Sequence, residues 1–385
     1  MHSFNYKIVI FLMGVLLLFN GCLMLISSLV SFIYKDGVTF EITLSSFLVL
    51  SLGALLMLFG RQYDKQIQKR EGYVIVTLGW MMMTISGMLP FIFTNSMVDI
   101  PSTFFETMSG YTATGATILQ DIESLPLGIL FWRSMTHWIG GMGIIVLAVA
   151  ILPLLGIGGI QLFSAEAPGP NNDKLHPRIT DTAKRLWLIY VSFTFLEAIL
   201  LSFAGMSIFD AVNHAMSTMA SGGFSTKNNS LAYWNHLPLV HYIIILFMFL
   251  AGSNFVLSYF ALTGKFKKVL DDNEFVTFLT FVLIFSFIVF TVIYTSVDLN
   301  NSYFDFPQVF GKLEGSIRHS LFQVLAIITT TGFVTSDYTA WTPFLTVFFF
   351  GLMFLGGSAG STSGGIKVVR HLLMIKGGIL EFKRA

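Results

Sequence analysis

The sequence predicts an all-α polytopic membrane protein, with about eight spanning helices and repeated helix–pore loop–helix units. Three observations predict this fold class. Of the 385 residues, 54% are hydrophobic and only 11% are charged, whereas soluble domains carry about 25% charged residues. Apolar runs of about 20 residues, the length that crosses a bilayer, recur along the chain. A loop motif rich in glycine, serine and threonine also recurs, at a nearly constant spacing.

The apolar runs predict the order and orientation of the spans. They fall near residues 8–33, 43–60, 73–93, 128–155, 183–205, 238–262, 274–297 and 343–373. Lys and Arg cluster in every second connection and at the C-terminal end, so the positive-inside rule predicts a cytoplasmic N-terminus and a cytoplasmic residue 385. The net charge of +1 gives no case for binding nucleic acid. We expect lipid to cover the apolar helices.

Three loops between predicted spans share one pattern, a short semi-apolar helix that ends in small hydroxylated residues and glycine. Aligned on Gly115, Gly223 and Gly332, the loops are 108 and 109 residues apart, which indicates an internal repeat. Non-helical backbone occurs at membrane depth only where protein covers it or water reaches it. We therefore expect re-entrant pore loops. The alternative, close helix packing or ordinary turns, explains one such loop better than three in register.

The loop ends predict a cation filter. Backbone carbonyl oxygens can replace the hydration shell of a cation, and the C-terminus of each short helix directs partial negative charge towards the ion. The filter stretches contain no carboxylate, which favours a weakly hydrated monovalent cation. The candidate ion-binding residues are Thr112, Ala113, Thr114 and Gly115, then Ser221, Gly222 and Gly223, then Thr330, Thr331 and Gly332.

Polar residues inside the predicted membrane segments are candidates for structural support. Glu106, His214 and Gln323 share one register, nine residues before the aligned glycines. We expect these three side chains to form hydrogen bonds that hold the filter in shape. Arg133 has two interpretations, a side chain that reaches the membrane interface or one that braces the filter.

Two further polar residues, Glu197 and Asn254, lie in the fifth and sixth apolar runs. They could pair with each other or line the pore vestibule. The sequence contains no His-Glu-x-x-His, no phosphate-binding Gly-x-x-x-x-Gly-Lys and no nucleophile with a nearby base, so an enzyme is not expected.

These segments resemble the Trk/Ktr/HKT superfamily of potassium transporters, and the bacterial TrkH type in particular. The resemblance is carried by the filter segments 112–117 (TATGAT), 222–226 (GGFST) and 329–333 (TTTGF), and by 131–134 (FWRS), 138–143 (WIGGMG) and 165–170 (AEAPGP). It implies a potassium-channel-like pore with K⁺ at the filter residues, and potassium uptake across the bacterial cytoplasmic (inner) membrane. It also implies a homodimer and a cytoplasmic nucleotide-binding regulatory subunit (TrkA-like).

The family pattern has four pore repeats, and the sequence accounts for three. We expect a two-helix extension at 1–70, pore repeats at 71–160, 182–269 and 270–385, a cytoplasmic linker at 161–181, and no fourth repeat. The sequence leaves two explanations of the missing repeat open. The chain is a truncated, non-conducting fragment, or a second polypeptide supplies the fourth repeat. The alternative function of a sodium or mixed-cation transporter with the same architecture also stays open. The sequence does not decide between channel-like transport and coupled symport.

A glycine-rich stretch interrupts the eighth apolar run. Such a run of small residues cannot form a stable lipid-facing helix, so we expect it to unwind where protein or water covers it. This stretch resembles the intramembrane loop that gates the pore in the family. Lys367 and Arg370 would couple this gate to the cytoplasmic partner. The alternative is a helix kink that allows close packing. The gate residues are Gly356, Gly357, Ser358, Ala359, Gly360, Ser361, Thr362, Gly364 and Gly365.

Overall fold

A computed structural model of the chain describes residues 4–61, 69–97, 99–141, 143, 179–297 and 310–384. Within these residues the regular secondary structure is helical, apart from one isolated bridge between Leu355 and Ile366. The chain divides into two compact units, Met1–Leu188 and Ile189–Ala385. The predicted all-α class is confirmed.

The first unit contains a pair of long helices followed by the first pore loop. Its described helices are α1 (Tyr6–Tyr34), α2 (Thr39–Phe59), α3 (Lys69–Gly87), α4 (Leu89–Phe93), the short pore helix α5 (Ile100–Tyr111) and α6 (Leu127–Gly141).

Small residues let the helices of the first unit approach closely. A Cβ on Gly14 of α1 would lie 2.7 Å from the carbonyl oxygen of Gly53 on α2, a backbone approach typical of helix pairs in membranes. Polar contacts then tie α1 to the pore helix, because the Tyr111 hydroxyl donates to the Asn20 amide oxygen at 2.7 Å. The N-terminal helix pair therefore supports the position where the first filter segment begins.

The second unit contains the next two pore loops. Its helices are α7 (Ile179–Phe203), which begins before the unit boundary, the pore helix α8 (Ile208–Met219), α9 (Pro238–Gly252), α10 (Phe255–Leu262), α11 (Phe266–Leu270), α12 (Asn273–Ser296), the pore helix α13 (Gly311–Ile328), α14 (Pro343–Leu352) and α15 (Val368–Arg384). Short 3-10 helices at Ser230–Trp234 and Tyr338–Ala340 follow the second and third filter segments.

Five of the described helices are long and apolar enough to cross a membrane. They are Tyr6–Tyr34, Thr39–Phe59, Arg70–Phe93, Arg185–Phe203 and Asn273–Ser296. Helices α9 and α10 qualify together, but a bend of 112° separates them. These helices match six of the eight predicted runs, and the chain is an integral membrane protein by its apolar helices.

Three of the predicted runs, including the bent pair, differ from simple continuous spans. Residues 238–262 were expected to form one continuous helix, and this prediction is wrong because the chain breaks at Ser253 and Asn254. The run 343–373 is interrupted between α14 and α15, as the glycine content predicts. Of the run 128–155, α6 is described to Gly141, while residues 144–155 and most of the predicted linker 161–181 lie outside the described residues.

Candidate functional site

The three predicted filter segments share one backbone conformation. Each aligned glycine has a positive φ, with values of 75°, 81° and 77° along the chain. The residue two positions earlier is also left-handed in each segment, although it is not glycine, with φ values of 50°, 55° and 57°. These earlier residues are Ala113, Ser221 and Thr330. Non-glycine residues seldom adopt this conformation. Because it occurs at the same position in all three segments, the segments repeat in backbone conformation as well as in sequence.

The second and third filter segments lie against each other. A Cβ on Gly223 would collide with the carbonyl oxygen of Thr331. Beyond the glycines, the backbone amide of Ala232 donates to the carbonyl oxygen of Val334 at 3.1 Å. Within the second unit, the two segments therefore run side by side through main-chain contacts, and only glycine fits at position 223.

A buried ion pair braces the first filter segment. The carboxylate of Glu106 accepts hydrogen bonds from the Thr117 hydroxyl at 2.9 Å, the Ile118 amide at 3.1 Å and the Arg133 Nε at 2.8 Å. Glu106 and Arg133 are only 1% and 2% exposed, so the ion pair is enclosed by protein. The carboxylate thus joins the pore helix α5, the residues that follow Gly115 and helix α6.

The second repeat has a neutral counterpart of this brace. His214 holds the same register as Glu106, and its Nε2 lies 2.9 Å from the Ser225 hydroxyl, two residues after Gly223. The other ring nitrogen, Nδ1, lies 2.8 Å from the Asp210 carbonyl oxygen, which can only accept. Nδ1 is therefore the donor, and Nε2 accepts from Ser225 when the ring is neutral. In both repeats the pore helix supports the residue two positions after the glycine.

The third repeat departs from this register. Gln323 is buried, and its side-chain oxygen accepts no hydrogen bond within the described residues. This oxygen therefore lends the filter no support, and the predicted brace at Gln323 stays a prediction. The supporting contact comes instead from His319, one helical turn earlier, whose Nδ1 lies 2.8 Å from the Thr335 hydroxyl.

The glycine-rich stretch forms a non-helical loop that contacts both filter segments of its unit. The Thr362 hydroxyl donates to the Met219 carbonyl oxygen at 2.9 Å and lies 3.0 Å from the Ser221 hydroxyl. The Gly364 amide donates to the Thr330 hydroxyl at 2.7 Å. The loop therefore reaches the left-handed residue of each segment, Ser221 and Thr330.

The other side of this loop contacts the break between α9 and α10. The Ser358 amide donates to the Gly252 carbonyl oxygen at 2.9 Å, and the Phe255 amide donates to the Gly360 carbonyl oxygen at 3.2 Å. Asn254 caps α10 by accepting from the Val256 amide at 2.9 Å. Backbone groups freed by the bend thus find partners in the loop, as buried backbone groups require.

Glu197 and Asn254 do not form the pair that the sequence suggested. Asn254 is used as the helix cap, whereas Glu197 is fully buried on α7 beside Thr218 of the pore helix α8. Neither carboxylate oxygen of Glu197 has a hydrogen-bond partner of ordinary geometry in the part of the chain that the structure describes. No group of three or more metal-ligating side chains occurs among the described residues either.

The apolar helices and the recurring loop segments define a class, the polytopic membrane proteins built from repeated helix–loop–helix units. The TrkH family, described as cation transport proteins, matches residues 38–385. Among curated relatives, the Trk system potassium uptake protein TrkH of Escherichia coli K12 is 42% identical over 383 residues, covering 99% of this chain and 77% of its own length. The protein of the same name from Vibrio parahaemolyticus is 39% identical over 385 residues.

A second uptake protein of Escherichia coli K12, TrkG, is 34% identical over 381 residues, with 98% of this chain and 76% of its own length covered. The crystal structure of the potassium transporter TrkH from Vibrio parahaemolyticus superposes with a TM-score of 0.84 at 35% identity, covering 99% of this chain and 76% of that one. The chain belongs to the TrkH family of cation transport proteins.

Proposed function

We propose that this chain is a potassium uptake subunit of the bacterial cytoplasmic membrane. The observation that carries this proposal is the left-handed residue and glycine that recur at one register in all three loop segments. Such a backbone suits a filter that binds a dehydrated cation through carbonyl oxygens. The names of the relatives, which are potassium uptake proteins, support potassium as the ion.

The proposed filter consists of the segments predicted from sequence. They are Thr112, Ala113, Thr114 and Gly115, then Ser221, Gly222 and Gly223, then Thr330, Thr331 and Gly332. These segments contain no carboxylate, which disfavours a divalent cation as the transported ion. The buried braces at Glu106 and His214 would keep the segments from collapsing when the ion leaves.

The proposed gate is the loop at 356–365. Its contacts with Ser221, Met219 and Thr330 place it directly against two filter segments, where it would block an ion leaving the filter. A Cβ on Gly357 would collide with the Ser363 hydroxyl, so the loop depends on glycine for this compact shape. Bulky residues in place of Gly360 and Gly364 should therefore change the rate of uptake.

The distribution of basic residues and the family resemblance support an orientation and an assembly for the chain. We propose cytoplasmic positions for the N-terminus and residue 385, because Lys and Arg cluster in the connections on that side. The relatives are named as components of the Trk system, which supports a transport subunit with partners. A homodimer and a cytoplasmic nucleotide-binding subunit are what the family resemblance implies.

The test is growth of a bacterium that lacks potassium uptake systems, at micromolar potassium, with this chain expressed in its membrane. We expect rescue, together with ⁸⁶Rb⁺ entry into proteoliposomes that excess K⁺ suppresses and excess Na⁺ does not. Equal suppression by Na⁺ would instead support the mixed-cation alternative. Absence of both rescue and flux would contradict transport by this chain.

A further inference from the structure

One carboxylate outside the filter contacts both the glycine-rich loop and the helix that follows it. Glu274 lies in the first turn of α12, and its Oε1 accepts the amide of Ala359 at 2.6 Å and the amide of Val369 at 3.2 Å. Ala359 lies in the middle of the loop, and Val369 lies in the first turn of α15. A single oxygen atom therefore ties the loop to the helix that follows it.

Glu274 does not serve as the cap of its own helix. Acidic residues in a first turn ordinarily stabilise the free amides of their own helix. Here Asp272 already performs that role, because it is the N-cap of α12 and its side chain accepts from the Phe275 amide at 2.8 Å. Glu274 directs its hydrogen bonds away from α12 and towards the loop.

The charges around Glu274 favour this arrangement. The Lys367 side chain, at the end of the loop, donates to the carbonyl oxygen of Ser363 and attracts the Glu274 carboxylate electrostatically. Asp272 on the same helix repels it. The attraction from Lys367 therefore supports the contact between Glu274 and the loop, whereas the Asp272 charge does not contribute to it.

We propose that Glu274 is a latch, a positioning residue that holds the loop against the filter segments and keeps the pathway closed. The proposal rests on the proposed role of the loop as a gate. The loop that Glu274 holds at Ala359 also contacts Ser221 through Thr362 and Thr330 through Gly364. Release of the two amides from Glu274 removes one of the attachments of the loop and leaves its contacts with Ser221, Thr330 and the α9–α10 break. Loss of the carboxylate therefore shifts the gate towards the open state.

The first test measures amide hydrogen exchange on the purified chain in lipid nanodiscs, in peptides that isolate Ala359 and Val369. Glu274→Ala removes the acceptor, and we expect exchange at both amides to rise about tenfold or more, the effect of losing a hydrogen bond to a charged group. Glu274→Gln keeps an acceptor oxygen without the charge, and should give an intermediate rise. Asp272→Asn is the matched control, since it alters the same helix start without touching the loop.

The second readout is ⁸⁶Rb⁺ flux in proteoliposomes. Glu274→Ala should increase the flux that excess K⁺ suppresses by several-fold over the unmodified chain, whereas a non-specific leak would not be suppressed by K⁺. If the unmodified chain and the variant both lack flux, the proposed transport function fails, and the exchange measurement alone decides the latch. Unchanged exchange at Ala359 and Val369 in Glu274→Ala, or an equal rise in Asp272→Asn, would overturn the latch.

Discussion

The same substitution at two equivalent positions of the pore helices should have very different effects on stability. Glu106 and Gln323 both lie nine residues before a filter glycine, and both are buried. Glu106 accepts three hydrogen bonds, one of them from the buried guanidinium of Arg133, whereas the Gln323 side-chain oxygen accepts none within the described residues. Methionine matches both side chains in length and shape, so Glu106→Met and Gln323→Met form a direct comparison.

The expected magnitudes differ by several kcal/mol. Glu106→Met leaves Arg133 buried with its main counter-charge removed, and breaking such a pair costs about 3–5 kcal/mol. Gln323→Met removes an amide whose oxygen is already desolvated without a partner, so the free energy of unfolding should change by about 0.5 kcal/mol or less, or rise. His214→Ala, which removes the neutral counterpart in the second repeat, should fall between them at about 1–3 kcal/mol.

Reversible unfolding of the purified variants in mixed detergent micelles measures these differences. The double variant Glu106→Met with Arg133→Met is the control, because it removes both charges and should recover part of the loss. Equal losses in Glu106→Met and Gln323→Met would refute the reasoning. So would a loss below about 1 kcal/mol in Glu106→Met, since that is the range of exposed pairs.

Three further substitutions test the filter and the loop. Gly223→Ala should abolish ⁸⁶Rb⁺ flux and lower the free energy of unfolding by about 2 kcal/mol or more, because a Cβ meets the Thr331 carbonyl oxygen and φ is +81°. Its control is Gly377→Ala on α15, where a Cβ meets nothing within 4 Å, and this change should be neutral or stabilising. Thr362→Val should raise amide exchange throughout the loop, because it removes the hydroxyl contacts and keeps the side-chain shape; unchanged exchange would contradict it. Ala113→Val should lower the free energy of unfolding by about 1–2 kcal/mol in chemical denaturation, since φ is +50°, whereas Ala113→Gly should not lower it.

The shared register of the three loop glycines could be predicted from the sequence because it depends on local chemistry. Glycine at a fixed spacing marks a backbone that other residues rarely adopt, and the structure has positive φ at Gly115, Gly223 and Gly332. The left-handed residue two positions earlier was not predicted, because Ala113, Ser221 and Thr330 have no side-chain type in common that marks this conformation. Only the backbone shows that these positions are equivalent.

The hydrogen-bond partners of the polar side chains on the pore helices were only partly predictable from the sequence. The shared register of Glu106, His214 and Gln323 indicated three braces, but a brace needs a polar partner two residues after the glycine. Thr117 and Ser225 supply one, whereas the third loop has Val334 there. This difference was present in the sequence and argues against the same brace at Gln323. The replacement contact, from His319 to Thr335, lies at other positions in the register and needed the structure.

The break between α9 and α10 was only partly readable from its own residues. Gly252, Ser253 and Asn254 are small and polar residues that suit a helix end and a new N-cap, but the rest of the run 238–262 is apolar and has no proline after Pro238. The bend is stabilised by residues about 100 positions later, since Ser358 and Gly360 bond the backbone groups of Gly252 and Phe255 that the bend frees. Local residues thus mark where the helix can end, and the tertiary contact fixes the bend.

The loop contacts also explain why the left-handed position carries a hydroxyl in the second and third repeats. Ser221 and Thr330 are strained there, and glycine would adopt the conformation more easily. Their hydroxyls, however, meet Thr362 and the amide of Gly364, which a glycine could not do. At these two positions the side chain compensates for an unfavourable backbone by connecting the filter to the proposed gate. Movement of the loop must therefore alter the hydrogen bonding of the filter residues themselves.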